Sequence, residues 1–252
     1  MTKAATMRGI PWRLENGGCA ALPLPADESI ARVARAHVTE LLPALGLSIQ
    51  DVDDITLMVS ELATNVLQHA TSREGASGAE LWVYQRTDGS GRDELVVKAF
   101  DTLRGWRPQE DAGRPMLEHG RGLEIIDLLT RGRWGHHPSR SRLRTPAVRG
   151  KATWIALPLP RSARRRRHAW RRDEPHATKD LHALLVQRGV EHLSPRDELG
   201  VRVLSGNGDL TVWCEAATFR WHARTGETGR LPIADITEVC EELVRLHECM
   251  ND

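Results

Sequence analysis

The 252-residue sequence predicts an α+β fold: an α/β sandwich with one helical layer on a mixed sheet, then a small α-β-β-β-α unit. Three features carry this. Apolar residues between Ile30 and Val66 recur with a period near 3.6. Strand-length apolar runs lie between Leu81 and Leu157. An Arg-rich stretch after Pro160 separates these from a shorter set of strands and helices.

Taken in order, residues 10–16 read as a first edge strand ending at Gly17-Gly18, and Asp27 offers a cap for a helix carrying Ile30, Val33, Ala34, Val38, Leu41 and Leu42. A second, longer helix begins near Ser48 or Asp51. It repeats Val52, Ile55, Met58, Val59, Leu62 and Val66, and runs to about Ala70. The runs beginning at Leu81 and Glu94, joined by Asp88-Gly-Ser-Gly, form a hairpin. A Gly/Pro/charged loop follows Asp101, with Arg104, Arg107 and Arg114 in it, and a helix opens at Gly120-Arg-Gly-Leu. Arg133-Trp-Gly-His gives a short strand, Pro138 to Arg149 a polar insertion, and Lys151-Ala-Thr-Trp-Ile-Ala-Leu-Pro the last strand. Lys151 reads as a solvated edge residue, and Trp134 and Trp154 as core. In the C-terminal part a helix closes at Gly189, strands start at Val201, Leu210 and Thr218, and Asp235 caps a final helix. Trp213 and Trp221 serve a small core or a partner surface there.

Hydrophobic residues are 40%, charged residues 27% and the net charge is +1, which excludes a wholly disordered chain. The leucine-rich stretch at Leu41–Leu47 is far short of the ~20 apolar residues that span a bilayer, and no signal peptide is expected, so the expected compartment is the cytoplasm. Cys19, Cys214, Cys240 and Cys249 lack zinc spacing and read as free thiols. The expected organisation is a domain over 8–160, a linker over 161–177 and a small α+β domain over 178–252. The linker holds seven basic and two acidic residues, and the C-terminal part eight and thirteen. The run from Arg161 to Arg172 is the one pointer to nucleic acid. Arg outnumbers Lys 31 to 4 in the whole chain, so the run also reads as a solvated tether, and nucleic acid is not the expected partner.

Glu61 and Asn65 stand four apart, on one face of the second helix, and His69 follows four later. Alone, this stripe is equally a solvated face. It gains meaning from Asp101 at the end of an apolar strand and from Gly120-Arg121-Gly122-Leu123, where a helix start offers free N–H groups suited to phosphate.

In this order the pieces resemble the GHKL (Bergerat-fold) ATPase superfamily, and within it the anti-sigma-factor serine/threonine kinases. Glu61-Leu-Ala-Thr-Asn65-Val-Leu-Gln-His69-Ala fits their E-L-x-x-N-x-x-x-H-A box. Gly120-Arg-Gly-Leu with Trp134-Gly135 fits the second glycine box and the turn beyond it, and Gly150-Lys-Ala-Thr-Trp154 fits the closing strand. The resemblance covers roughly residues 10–160. The first glycine box, D-x-G-x-G, is reduced here to Asp101-Thr-Leu-Arg-Gly105.

The resemblance implies a Bergerat-type sheet covered on one face by helices, with ATP and Mg²⁺ as ligands. It implies Asn65 as the metal ligand, Glu61 as the catalytic base and Asp101 as the acceptor for the adenine amino group. Gly105, Gly120, Arg121, Gly122 and Leu123 complete the nucleotide site. His69 is expected to hold the helix end rather than do chemistry. The implied partners are a STAS-type anti-anti-sigma protein, phosphorylated on Ser or Thr, and a sigma factor; a homodimer is also implied. The competing reading is an ATP-binding module that sequesters a partner with little or no catalysis.

Overall fold

The computed structural model describes residues 18–70, 78–104, 121–160 and 174–251. The strand expected at residues 10–16 lies outside them, as do Gly105, Gly120 and the run from Arg161 to Arg172. Two five-stranded sheets organise the described residues.

The first sheet holds β1 (Cys19–Pro23), β2 (Glu80–Thr87), β3 (Asp93–Asp101), β4 (Trp134–Arg140) and β5 (Arg149–Pro158), in the order β1-β2-β3-β5-β4. Every pairing among these strands is antiparallel, where a mixed sheet was expected, because hairpins supply β2–β3 and β4–β5. Helices α1 (Ile30–Leu41), α2 (Ile49–Ala70) and α3 (Arg121–Thr130) cover one face. Alternate strand residues meet them: Leu81 and Val83 of β2, Leu95, Val97 and Ala99 of β3, and Ile155 of β5 share a core with Ile30, Val38, Met58, Leu62 and Ile126.

Local chemistry sets the helix starts. Ser48 Oγ accepts the Asp51 N–H at 3.1 Å while Asp51 Oδ2 accepts the Ser48 N–H at 3.1 Å, a reciprocal cap for α2. Asp27 does not cap α1 as expected. Its Oδ1 accepts the Ser29 N–H at 2.8 Å, a tight turn that precedes the helix. The polar stretch from Pro138 begins as strand, since β4 extends to Arg140, and stays irregular from there until β5 starts at Arg149. Its polar side chains hid that pattern because they meet polar partners, described below.

The second half runs α4 (Glu174–Gln187), β6 (Ser194–Glu198), β7 (Val201–Gly206), β8 (Leu210–Glu215), β9 (Thr218–Ala223), β10 (Thr228–Pro232) and α5 (Ile236–Met250). The sheet order is β10-β9-β8-β7-β6, so five strands stand where three were expected. The two additions are the edges. All five residues of β6 are exposed, and β10 contains Gly229 and Pro232, so neither displays an apolar alternation. Helix α4 opens at Glu174, inside the stretch expected to be linker. Trp221 enters the core of this half with Leu204, Val212, Phe219 and Leu243. Trp213 takes the opposite face of the sheet, with the Arg220 guanidinium 4.9 Å from its ring centroid.

Helix α5 also packs against the first sheet, on the face away from α1–α3. That face presents Trp82, Tyr84, Lys98, Phe100 and His137. Asp235, expected as a cap, makes no side-chain cap bond; its Oδ2 accepts the Thr87 N–H of β2 at 3.2 Å. The junction is largely ionic. Tyr84 donates to Glu238, and Arg86 Nε bonds Glu94 at 3.1 Å while its other arm meets Glu238. Glu241 accepts from Arg142 at 2.7 Å, from Arg188, and from Lys98 at 3.4 Å. Burial opposes the charged form of Glu241, yet Arg188, Lys98 and Arg142 together hold its carboxyl well below the usual range. Burial, reinforced by the Lys98 ammonium 3.0 Å away, pushes His137 down to about 3.

Candidate functional site

Two helices and two strand ends converge at one edge of the helical layer. Helix α2 carries Glu61 and Asn65 one turn apart because their spacing matches its period. Helix α3 brings its first turn against Glu61: a Cβ added at Gly122 would sit 2.5 Å from Glu61 Oε2. A glycine there lets backbone and carboxylate approach as closely as they do.

One turn along α2, Leu62, Asn65, Val66, Asp101, Leu123, Lys151 and Thr153 line a narrow cleft of about 10 Å³, room for about one water. Three of the residues named from sequence, Asn65, Asp101 and Leu123, therefore meet in one cleft, and Glu61 with Gly122 lies beside it. Gly105 and Gly120 lie outside the described residues. Arg121 opens α3, with its side chain outside the description, as is that of His69 at the close of α2.

Asp101 closes β3 and is 2% exposed. Its Oδ1 accepts the Leu103 N–H at 2.9 Å, and its Oδ2 lies 3.2 Å from Lys151 Nζ. Lys151 is 5% exposed, not the solvated edge residue expected. The register explains this: Asp101 stands opposite Lys151 in the β3–β5 ladder, and both side chains turn toward the helices. Gly150 makes the approach possible, since a Cβ there would lie 2.1 Å from the Asp101 carbonyl oxygen. Sequence reading missed Lys151 and Thr153 as cleft residues. The available signal was the apolar alternation of β5, which puts both on the same side as Ile155. Trp134 is partly buried against the helical core, and its indole N–H donates to Asp127 at 2.8 Å. Trp154 lies on the far face, with Arg86 5.3 Å from its ring centroid.

The loop after Asp101 begins with an unexpected commitment. Arg104, read from sequence as part of the charged stretch after Asp101, forms a 2.8 Å ion pair with Glu248 of α5. Arg107 and Arg114 lie outside the described residues. Among the described residues no group of three or more His, Cys, Asp or Glu side chains is placed to hold a metal, the four cysteines form no disulfide, and no helix is long and apolar enough to cross a membrane.

The helical layer over the antiparallel sheet, with Glu61 and Asn65 on one helix face, is the part of the chain that resembles an ATPase domain of the histidine-kinase type. Residues 24–132 match the family model for the histidine kinase-like ATPase domain. The same part of the chain is homologous to bacterial serine-protein kinases named RsbW. It is 28% identical over 121 residues to that of Halalkalibacterium halodurans, covering 43% of this chain and 69% of the relative. Over 113 residues it is 26% identical to those of Bacillus cereus and Bacillus anthracis, covering 43% of this chain and 71% of each relative.

Proposed function

We propose that this protein is an ATP-dependent serine/threonine kinase of the anti-sigma-factor type, acting on a Ser or Thr of a STAS-type anti-anti-sigma protein and also binding a sigma factor. The observation that carries the reading is Glu61 set against the first turn of α3 at Gly122. In this reading that carboxylate is the base, beside the helix start expected to hold phosphate. In this reading Glu61 takes the proton of the acceptor hydroxyl as that oxygen bonds the γ-phosphorus, the bond to the β–γ bridging oxygen breaks, and ADP leaves. The backbone of Gly120 to Gly122, with Arg121 and Leu123, holds phosphate oxygens at the helix N-terminus.

In this reading Asp101 accepts from the adenine amino group, and Gly105 contacts the nucleotide. The residues present suit Mg²⁺: the Asn65 carboxamide, in the cleft one turn from Glu61, is a hard oxygen donor of the kind that ion takes. When bound, the ion neutralises phosphate charge. Because phosphoryl transfer is mainly positioning and electrostatics, this set is chemically sufficient.

The second reading, a module that holds ATP and a partner without turnover, is favoured by the Lys151–Asp101 pair, which engages the adenine-reading carboxylate. One experiment separates the two. The protein is incubated with γ-labelled ATP·Mg²⁺ and a STAS-type protein of the same genome, then the assay is repeated with Glu61→Ala. Label transferred to the STAS protein by the wild type and lost in the variant supports the kinase. Nucleotide binding without transfer refutes it in favour of the binder. We also propose the cytoplasm as its compartment, a homodimer as its assembly, and a domain division at residues 161–177.

A further inference from the structure

Three carboxylates of α5 face the first sheet, and they do different things. Glu238 and Glu241 meet residues on the sheet's face: Tyr84 and Arg86 for the first, Lys98, Arg142 and Ser139 for the second. Glu248, fully buried, reaches the end of the sheet instead. Its Oε1 accepts Arg140 Nε at 2.6 Å, and its Oε2 accepts Arg149 Nε at 2.7 Å and pairs with Arg104 at 2.8 Å.

The positions of these arginines matter. Arg104 lies three residues beyond Asp101, at the root of the loop leading to the glycine helix start. Arg149 lies two residues before Lys151, the partner of Asp101. One carboxylate therefore ties together the end of β3 and the beginning of β5, the two strand ends that place the Asp101–Lys151 pair in the cleft. Three charge-assisted contacts to one carboxylate hold these segments at short distances. The C-terminal half thereby holds the strand ends on either side of the Asp101–Lys151 pair.

From this we infer that Glu248 is a positioning residue for the nucleotide site, and that its tie from α5 to the strand ends sets the affinity of the cleft for ATP. The C-terminal half is then a built-in regulator: whatever breaks that tie loosens the nucleotide site. The inference rests on the reading of the cleft as the ATP site.

The test compares wild type, Glu248→Gln and Glu238→Gln in the full chain. Glu238→Gln removes a comparably buried carboxylate of the same helix that does not reach the strand ends. Hydrogen exchange is followed without nucleotide at residues 100–104 and 149–153, and ATP·Mg²⁺ affinity is measured by calorimetry. The expected result for Glu248→Gln is faster exchange in both segments and an ATP Kd raised at least about fivefold, the low end of coupling between sites, with Glu238→Gln close to wild type in both. Should Glu248→Gln fail to fold, Arg104→Met, which cuts only the link to the loop root, gives the same loss. Unchanged ATP affinity in the Glu248 or Arg104 variant, or an equal loss in Glu238→Gln, overturns the inference. A wild type that binds no ATP overturns the reading of the cleft and the coupling with it; the exchange data, taken without nucleotide, then still report the tether and distinguish the two failures.

Discussion

Replacing Glu241 with alanine tests the packing of α5 on the sheet most directly. The carboxylate it removes accepts from Arg188, Arg142 and Lys98 together. Arg188 is 2% exposed and lies 4.8 Å from the Trp82 ring centroid, so water has little access to its guanidinium. Arginine cannot shed its proton to escape burial. Ser139 still accepts from Arg188 at 3.0 Å, which compensates one N–H and none of the charge. Breaking a buried pair by deleting one partner costs about 3–5 kcal/mol, a large share of the roughly 5–15 kcal/mol that keeps a domain folded. Replacing Glu241 and Arg188 together with leucine is expected to recover only part of that loss, because Arg142 and Lys98 still lose their counter-ion. Urea unfolding followed by tryptophan fluorescence measures both variants. A loss below about 1 kcal/mol for Glu241→Ala, the value of a solvated surface pair, would refute the reasoning and mean that α5 does not sit on this face in solution.

Two further outcomes are expected. Gly122→Ala puts a methyl against Glu61 Oε2. Alanine suits a helix better than glycine, so thermal stability should hold while transfer to the STAS protein drops by about a hundredfold, the scale for displacing a catalytic group by an ångström; full transfer in this variant would detach Glu61 from the chemistry. Stability should also fall with acid. Burial, then Lys98, depresses His137 from 6.5 to about 3, and burial, then Arg140 and His192, depresses His247 from 6.5 to about 4. Each binds fewer protons folded than unfolded between those values and 6.5. The stability they contribute is full above 6.5 and declines as pH drops through that window, by up to about 1.4 kcal/mol per pH unit for each group. Glu238, Glu241 and Glu248, all held below 4.5 by their basic partners against burial, extend the loss at lower pH. Urea midpoints at pH 7, 5.5 and 4.5 read this out, and a midpoint that does not move would show both imidazoles to be solvated.

Much of the ATPase half was legible in the chain itself. The period of α2 placed Glu61 and Asn65 on one face, the Asp88-Gly-Ser-Gly turn announced the β2–β3 hairpin, and Gly120-Arg-Gly-Leu marked the start of α3. These are local signals: each depends on residues within a turn or two of one another. Lys151 could not be placed in that way, since its burial follows from a cross-strand partner fifty positions earlier and from a glycine that clears the Asp101 carbonyl. Strands β6 and β10 also left no pattern, because edge strands bury little and need no apolar alternation.

The face of the first sheet turned away from α1–α3 makes the same point more strongly. Its Lys98, His137, Arg142 and Ser139 read as solvent residues on any local scale, and so do Glu238, Glu241 and Glu248 of α5. They are interior because each charge finds its counterpart about a hundred or more positions away. Helical period, turn chemistry and motif spacing are written in neighbouring residues and survive in one dimension. The burial of a charge depends on where distant partners arrive, and that is settled when the two halves pack.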